Sequence, residues 1–230
     1  MAKEGLLLTI AVLGGTGKEG KGLAYRWAKA GYRVLIGSRS SEKAVTTASE
    51  IMELLEGSSS VVGTTNLEAA EQADIVVLSV PYSAHRGTLE SVKQALQGKL
   101  LVDVTAPLVP PKVSKVQMPA AGSAAQEAKE IVGEDVEVAA AFQNVSYEHL
   151  LGEGDVDCDV LVTGTSKKAR QEVLTLVEAA DLTGWDAGPN ENSVVAEGLT
   201  SVLININRLY GSKHAGIKIT GVPKQSTESE

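Results

Sequence analysis

Three features of the sequence predict an α/β fold with a mostly parallel, doubly wound sheet. Short apolar runs alternate with amphipathic helical patterns along the first half of the chain. The first apolar run leads directly into a glycine-rich turn, and a helical pattern begins immediately after that turn. The length of 230 residues suffices for one well-buried core, or for one domain with a small extension.

The first half of the chain has a regular order of strands and helices. Residues 6–13 form an almost continuous apolar run, which is typical of a strand buried on both faces of a parallel sheet. A helix is predicted over residues 18–30, because apolar residues recur there at helical spacing before Gly31. The predicted elements that follow are a strand (32–37), a helix (41–55), a strand (60–64), a small helix capped by Asn66, a strand (74–80), a helix (about 83–97) and a strand (99–105). Strands and helices that alternate in this way form βαβ units with right-handed crossovers.

The pattern is less regular in the second half. Residues 106–122 contain four prolines, so they are expected to form an irregular loop at the edge of the sheet. The further predicted elements are a helix (123–131), strands (136–142 and 158–164), a helix (167–180) and a long helix (about 192–210). The long helix carries its apolar residues on one face, which favours a homodimer.

Composition and charge exclude several classes of function. The net charge of −8 argues against a nucleic-acid or membrane-surface partner, and no apolar run approaches the roughly 18–20 residues of a membrane span. The first apolar stretch is too short for a signal peptide. The single cysteine, Cys158, fits a reducing compartment, so we expect a cytoplasmic protein in which this thiol is buried and inert. His85, His149 and His214 lie far apart and predict no metal site, and the first two are expected at the surface.

The glycine-rich turn has the spacing of a dinucleotide-binding loop. Gly15, Gly17 and Gly20 form G-x-G-x-x-G between a predicted strand and a predicted helix, which is the context that phosphate binding requires. The start of the helix would offer free N–H groups and a partial positive charge to a pyrophosphate. The residues predicted to contact the cofactor here are Gly14, Gly15, Thr16, Gly17, Lys18, Glu19 and Gly20.

The end of the second strand favours NADP over NAD. NAD-binding folds place an acidic residue there for the ribose 2′-hydroxyl, whereas this chain has Ser38 and Arg39, with Lys43 one helical turn further on. Cations at the start of a helix oppose its dipole, so a bound anion is the better explanation for them. These three residues are therefore predicted to bind the 2′-phosphate of NADP(H).

Five sequence blocks together resemble one family of enzymes. The blocks are "AVLGGTGKEGKGLA", "GSRSSEK", "DIVVLSVP", "DAGPNENS" and "LTSVLININRLYGSKHAGIKITG". In their order and spacing the chain resembles the NADPH-dependent coenzyme F420 reductases, also called F420H2:NADP oxidoreductases. The resemblance implies direct hydride exchange between NADPH and the deazaflavin coenzyme F420, and it also implies a homodimer.

The resemblance further implies roles for particular residues. Thr16 and Gly17 would hold the pyrophosphate, and the turn at Val80 and Pro81 would lie beside the nicotinamide. The segment "GSKHAGIK" and the long helix before it would close the deazaflavin cleft. The coenzyme has an anionic phosphate and glutamate tail, for which the expected partners are Lys213, His214 and Lys218.

One segment departs from the family pattern. Where the archaeal enzymes have a leucine–histidine–threonine sequence beside the nicotinamide, this chain has Phe142, Gln143 and Asn144. Gln143 can donate a hydrogen bond but does not titrate near neutral pH. Gln143 is predicted as a cofactor contact, and Gln143 and His214 as candidates for touching the substrate.

The sequence contains no constellation that is typical of nucleophilic or acid–base catalysis, so no catalytic residue is predicted. Hydride transfer between two flat rings needs no obligatory acid, base or nucleophile, because the cofactors carry the chemistry. Besides F420 reduction, two alternatives stay open. One is NADPH-dependent reduction of another acceptor (a flavin, a metal chelate, or a small carbonyl or imine), and the other is a non-enzymatic NADP-sensing module.

These inferences predict a division of the chain. An NADP-binding Rossmann domain is expected over residues 1–145, and a smaller helical or mixed C-terminal domain over residues 146–221 would close the substrate cleft. Residues 222–230 are polar and are expected to form a disordered tail.

Overall fold

The strands form one sheet of eight in a computed structural model that describes residues 8–57, 59–151 and 156–223. The strands are β1 (Thr9–Leu13), β2 (Arg33–Ser38), β3 (Val61–Thr65), β4 (Ile75–Leu78), β5 (Leu100–Asp103), β6 (Glu137–Ala140), β7 (Asp159–Gly164) and β8 (Thr183–Pro189). Their order in the sheet is β3-β2-β1-β4-β5-β6-β7-β8. Every neighbouring pair is parallel except β6 and β7, which confirms the predicted doubly wound, mostly parallel sheet.

Helices cover both faces of this sheet. They are α1 (Lys18–Lys29), α2 (Ser41–Leu54), α3 (Asn66–Gln72), α4 (Tyr82–Val92), α5 (Ala124–Val132), α6 (Lys167–Ala179) and α7 (Ser193–Tyr210). Side chains alternate along a strand, so Ile10 and Val12 of β1 share a core with α1, α2 and α6, while Ala11 and Leu13 share one with α3, α4 and α5. The apolar run of the first strand is therefore buried on both faces, as the sequence predicts.

The sheet continues through the C-terminal part of the chain. Strands β7 and β8 extend the edge formed by β6, so the sheet crosses the domain boundary predicted at residue 145. That division into two domains stays a prediction. Of the predicted tail, residues 224–230 lie outside the described residues, as do residues 1–7.

The buried face of α7 is not its apolar face. Apart from Leu203, the residues that this helix buries are small or polar, namely Ser193, Ala196, Glu197, Gly198 and Ser201. Several aliphatic side chains of α7 are instead exposed, including Val195 at 66% and Val202 at 42%. Glu197 accepts the backbone N–H groups of Ala124 and Ala125, which fixes α7 to the start of α5.

Two local predictions are wrong. Strand β8 was not expected, because its sequence "TGWDAGP" has one large apolar side chain among glycines and a proline. This edge strand needs Gly184, since a Cβ atom there would lie 2.8 Å from the Leu174 side chain of α6. The cap of α3 is Thr65 rather than Asn66, because Thr65 and Glu68 form a reciprocal capping box.

No helix among the described residues has the length and apolar character to cross a membrane.

Candidate functional site

A cavity of about 390 Å³ lies at the carboxyl ends of the parallel strands, where strand order reverses between β1 and β4. Such a switch point is where open α/β sheets bind ligands. Its lining includes many of the predicted cofactor contacts, namely Gly14, Thr16, Gly17, Ser38, Arg39, Lys43, Val80 and Pro81. The lining also includes Ser40, Asn66, Ser79, Ala84 and Thr88, which were not predicted as cofactor contacts. Gly15, Lys18, Glu19, Gly20 and Gln143 are not among its lining residues.

The glycines of the turn are required for different structural reasons. Gly14 has a φ of +74°, and a Cβ atom there would lie 2.5 Å from the carbonyl oxygen of Ser79. A Cβ atom on Gly15 would lie 2.8 Å from the carbonyl oxygen of Val12, and one on Gly20 would lie 2.9 Å from the Gly15 Cα. A Cβ atom on Gly17 would approach only the Gly14 carbonyl oxygen, at 3.4 Å. Space next to Gly17 is thus left for something other than the protein.

Gly17 is also the N-cap of α1, and no side chain in the described part of the chain caps this helix. The first N–H groups of a helix have no intrahelical partner, and they carry a partial positive charge. The start of α1 therefore borders the cavity, where the glycine motif predicts a bound anion.

The end of β2 supplies two exposed cations. Arg39 and Lys43 line the cavity, and no carboxylate of the described residues forms an ion pair with either of them. The buried Ser38 accepts the N–H of Ser40 through Oγ at 3.2 Å. Ser40 in turn caps α2 by accepting the N–H of Lys43. This arrangement fits a phosphate monoester next to the ribose of a dinucleotide.

Asn66 belongs to the cavity rather than to a helix cap. Its Oδ1 atom accepts the N–H of Gly14 at 3.3 Å, which connects the end of β3 to the glycine turn. The sequence did contain a signal for this residue. Asn66 directly follows a strand, and the carboxyl ends of parallel strands meet at one edge of the sheet.

Gln143 is buried and already has a partner. Its side-chain Nε2 atom donates to the backbone oxygen of Asp103 at 2.9 Å. The backbone oxygen of Gln143 accepts the Thr200 hydroxyl, also at 2.9 Å. Its contact with a cofactor or substrate therefore stays a prediction.

His85 is buried, so its predicted place at the surface is wrong. Its side chain is 0% exposed, and its Nε2 atom lies 2.7 Å from Oδ2 of Asp103, which is also 0% exposed. Burial alone lowers the pKa of His85, but the hydrogen bond and the charge of Asp103 outweigh burial and raise the pKa above its usual value. Helical spacing would have revealed this position, because Leu89 and Val92 are buried four and seven residues further along the same face of α4.

Glu19 carries a buried carboxyl oxygen. Oε1 has no hydrogen-bond partner among the described residues, although Glu19 is the second residue of α1, close to the glycine turn. Burial raises the pKa of Glu19 to about 8, so its carboxyl group is mostly protonated at neutral pH.

A second cavity, of about 470 Å³, meets the first at Thr16. Its other lining residues are Lys18, Lys21, Thr47, Glu50, Tyr147, Glu148 and Leu151. The Lys18 ammonium donates to the Tyr147 hydroxyl at 3.1 Å, which connects α1 to the loop that follows β6.

The three cations predicted for the coenzyme tail lie in different surroundings. His214 packs its ring 4.5 Å from that of His149, and its Nε2 atom is 3.8 Å from Glu148 of the second cavity. The backbone oxygen of Lys213 accepts the Ser146 hydroxyl, so Lys213 also lies beside this loop. Lys218 forms ion pairs with Asp157 and Asp159 at 2.8 and 3.5 Å instead.

Cys158 is buried, as predicted, and burial raises the pKa of its thiol. Among residues 8–57, 59–151 and 156–223, no group of three or more His, Cys, Asp or Glu side chains could hold a metal ion.

The uncapped helix at the strand-order switch, with free cations beside it, defines a Rossmann-type dinucleotide-binding protein. The family model described as NADP oxidoreductase coenzyme F420-dependent matches residues 9–107. The F420-dependent NADP reductase of Methanothermobacter marburgensis is 42% identical over 224 residues, which are 94% of this chain and 100% of that protein. The F420-dependent NADP reductase of Methanothermobacter thermautotrophicus is 40% identical over 227 residues, 96% of this chain and 98% of that protein.

A solved structure agrees with these relatives. The crystal structure of an Arthrobacter sp. FB24 protein, named provisionally as an F420-dependent NADP reductase, has a TM-score of 0.77 and 26% identity. The match covers 93% of this chain and 99% of that one. The chain belongs to the family of F420-dependent NADP reductases, which confirms the resemblance stated from the five sequence blocks.

Proposed function

We propose that this protein transfers a hydride between NADP(H) and coenzyme F420. The observation that carries this proposal is the similarity over nearly the whole chain to relatives whose names state that activity. The cavity at the strand-order switch supports it, because this cavity combines an uncapped helix end with two cations that have no acidic partner among the described residues.

The residues of the cavity fit NADP(H). The free N–H groups next to Gly17 would bind the pyrophosphate, and Arg39 with Lys43 would bind the 2′-phosphate. Val80 and Pro81, which also line the cavity, would contact the nicotinamide half. When bound, the nicotinamide supplies or accepts the hydride, and the chain's own residues position the ring and exclude water.

The lining of the cavity agrees with a reaction that needs no acid or base from the protein. None of its lining residues is an Asp, Glu, His or Cys. The role left to the protein is to hold the two rings with their reacting carbons about 3–3.5 Å apart.

Isotope transfer tests this function. Mixing the protein with F420 and NADPH that carries deuterium at the transferred position should place the deuterium on the reduced deazaflavin. Direct transfer never releases the hydride to water, so no deuterium should appear in the solvent. Loss of deuterium to solvent would contradict direct transfer. Reduction of a flavin or an imine in place of F420 would favour another acceptor, and cofactor binding without turnover would favour a sensor.

We place the anionic tail of F420 along the second cavity, next to Lys213 and His214. Lys213→Glu should raise the KM for F420 about three- to fivefold at low salt and less at high salt, because exposed charges are screened. The KM for NADPH should stay unchanged. Lys218→Glu is the matched control, since it makes the same charge change at a lysine that is paired with Asp157 and Asp159. Equal effects of the two variants would contradict this placement.

We further propose a cytoplasmic homodimer that associates through the exposed apolar face of α7 and has no nucleic-acid partner. The exposure of Val195, Val202 and Leu209 supports the dimer, and the net charge of −8 supports the absence of a nucleic-acid partner. Val195→Asp should shift the protein towards monomer in sedimentation velocity. A wild-type protein that is monomeric at micromolar concentration would contradict the dimer.

A further inference from the structure

A buried polar connection links β5 to α4, the helix that begins directly after Pro81 of the cavity lining. Asp103, the last residue of β5, joins three segments of the chain. Its Oδ2 atom is 2.7 Å from His85 Nε2, and its Oδ1 atom accepts the N–H of Thr105 at 2.9 Å. Its backbone oxygen accepts the Gln143 amide at 2.9 Å. One residue thus fixes the first turns of α4, the segment after β5 and the loop after β6 to one another.

One of these segments borders the first cavity, through Pro81 and Ala84, and the loop after β6 borders the second, through Tyr147 and Glu148. Pro81 lines the cavity and directly precedes α4, so the orientation of α4 sets the position of Pro81. The loop after β6 is in turn fixed to α7, because Asn144 donates to the Ala196 carbonyl oxygen and Thr200 donates to the backbone carbonyl oxygen of Gln143. Asp103, which bonds to both His85 and Gln143, therefore connects α4 at the first cavity to this loop.

Packing alone does not explain a histidine at this position. Burying an imidazole and a carboxylate costs desolvation energy, and a well-packed apolar pair of similar volume is often at least as stable. His85 Nδ1 is buried without a hydrogen-bond partner in the part of the chain that is described, so only Nε2 orients the ring by hydrogen bonding. An aliphatic residue would continue the buried face formed by Leu89 and Val92. What the histidine adds is one directed hydrogen bond to the end of β5.

We propose that His85 is a positioning residue for hydride transfer. Through its bond to Asp103 it holds Val80 and Pro81 at a fixed separation from the loop that carries Gln143. This inference rests on the proposed function, in which the nicotinamide contacts Val80 and Pro81. A displacement of about 1 Å can cost roughly a hundredfold in rate, so a bond remote from the reacting atoms can control turnover.

If His85 is a positioning residue, its loss should change kcat without changing the affinity for NADPH. The proposed phosphate contacts belong to other segments than Pro81: Gly17 lies in the glycine turn, and Arg39 and Lys43 follow β2. Loss of the His85 bond should therefore lower kcat while the Kd for NADPH changes little. Hydride transfer should also become more rate-limiting, which a larger kinetic isotope effect with deuterated NADPH would reveal.

Three substitutions of His85 separate the hydrogen bond from packing. Glutamine places its amide nitrogen near the position of Nε2, whereas asparagine is too short to reach Asp103 and leucine has no donor. His85→Gln should keep kcat within about threefold of wild type, while His85→Asn and His85→Leu should lower it roughly ten- to a hundredfold. The Kd for NADPH should stay within about twofold in all three. Melting temperatures, with assays well below them, identify losses that come from unfolding.

The outcomes are distinguishable. Unchanged kcat in His85→Leu would overturn the proposal, and so would losses of kcat and NADPH affinity that follow the melting temperature in all three variants. If His85→Asn and His85→Leu do not fold, Gln143→Met breaks the same connection from the other side, and an unchanged kcat in that variant would overturn it. Wild-type protein that does not reduce F420 would refute the proposed function. The variant series would then be measured with the acceptor that wild type does reduce.

Discussion

Replacing Gly17 by alanine should weaken NADPH binding roughly ten- to a hundredfold, as expected for the loss of a charge-assisted phosphate contact. The fold should survive, because the added methyl group meets only the Gly14 oxygen, at an ordinary distance of 3.4 Å. The Gly17 backbone, with φ −75° and ψ 161°, is also open to alanine. Fluorescence titration of NADPH, with a thermal melt of the same sample, measures both quantities.

Two control variants sharpen this test. Gly87→Ala changes an exposed helical glycine, where the added Cβ atom would have no described atom outside its own helix within 4 Å. This variant should therefore leave NADPH binding unchanged. Arg39→Ala should weaken binding of NADPH but not of NADH, since only NADPH carries the 2′-phosphate. A Gly17→Ala protein with wild-type affinity would remove the phosphate role of this helix end.

The fold was largely predictable because its signals are local. Apolar runs of strand length, separated by helical patterns, imply βαβ units, and the glycine turn marks the switch point of the sheet. Strand β8 could not be found in this way. It lies at the edge of the sheet. Its extended conformation comes from hydrogen bonds to β7 and from packing of Gly184 against Leu174, and not from the β-propensity of its own residues.

The candidate site was predictable only where one motif contains it. The glycine turn is one short segment of the chain, Arg39 and Lys43 lie in another directly after β2, and both segments line the cavity. Asn66 and Ser79 reach the same cavity from other strand ends, which only the strand order brings together. The pairing of His85 with Asp103 joins residues that are 18 positions apart. A sequence pattern within one helix or strand does not show which residue of another element its side chains contact.

Two carboxyl groups make stability depend on pH in the same direction. Burial raises the pKa of Glu19 to about 8, and burial together with the charge of Asp103 raises that of Glu197 to about 8 despite its two backbone donors. Each group keeps its proton in the folded state and loses it near pH 4.5 when unfolded. The stability that they contribute is fully present below that pH, and it is lost as pH rises through about 8.

Glu19→Gln should therefore make the protein more stable at pH 9, on the order of 2–4 kcal/mol, and change it little at pH 5. Glutamine keeps the shape of the protonated carboxyl group but has no proton to lose, so only the alkaline penalty disappears. Urea unfolding of both proteins at the two pH values gives the difference in the free energy of unfolding. Glu42→Gln is the control, because Glu42 is likewise the second residue of its helix but is exposed. Equal changes in the two variants would mean that the Glu19 carboxyl group is not desolvated.

A stabilisation at pH 9 confined to Glu19→Gln would show that this carboxyl group at the start of α1 is held protonated in the free protein. The pyrophosphate proposed to bind at this helix end would then meet a neutral side chain rather than a negative charge.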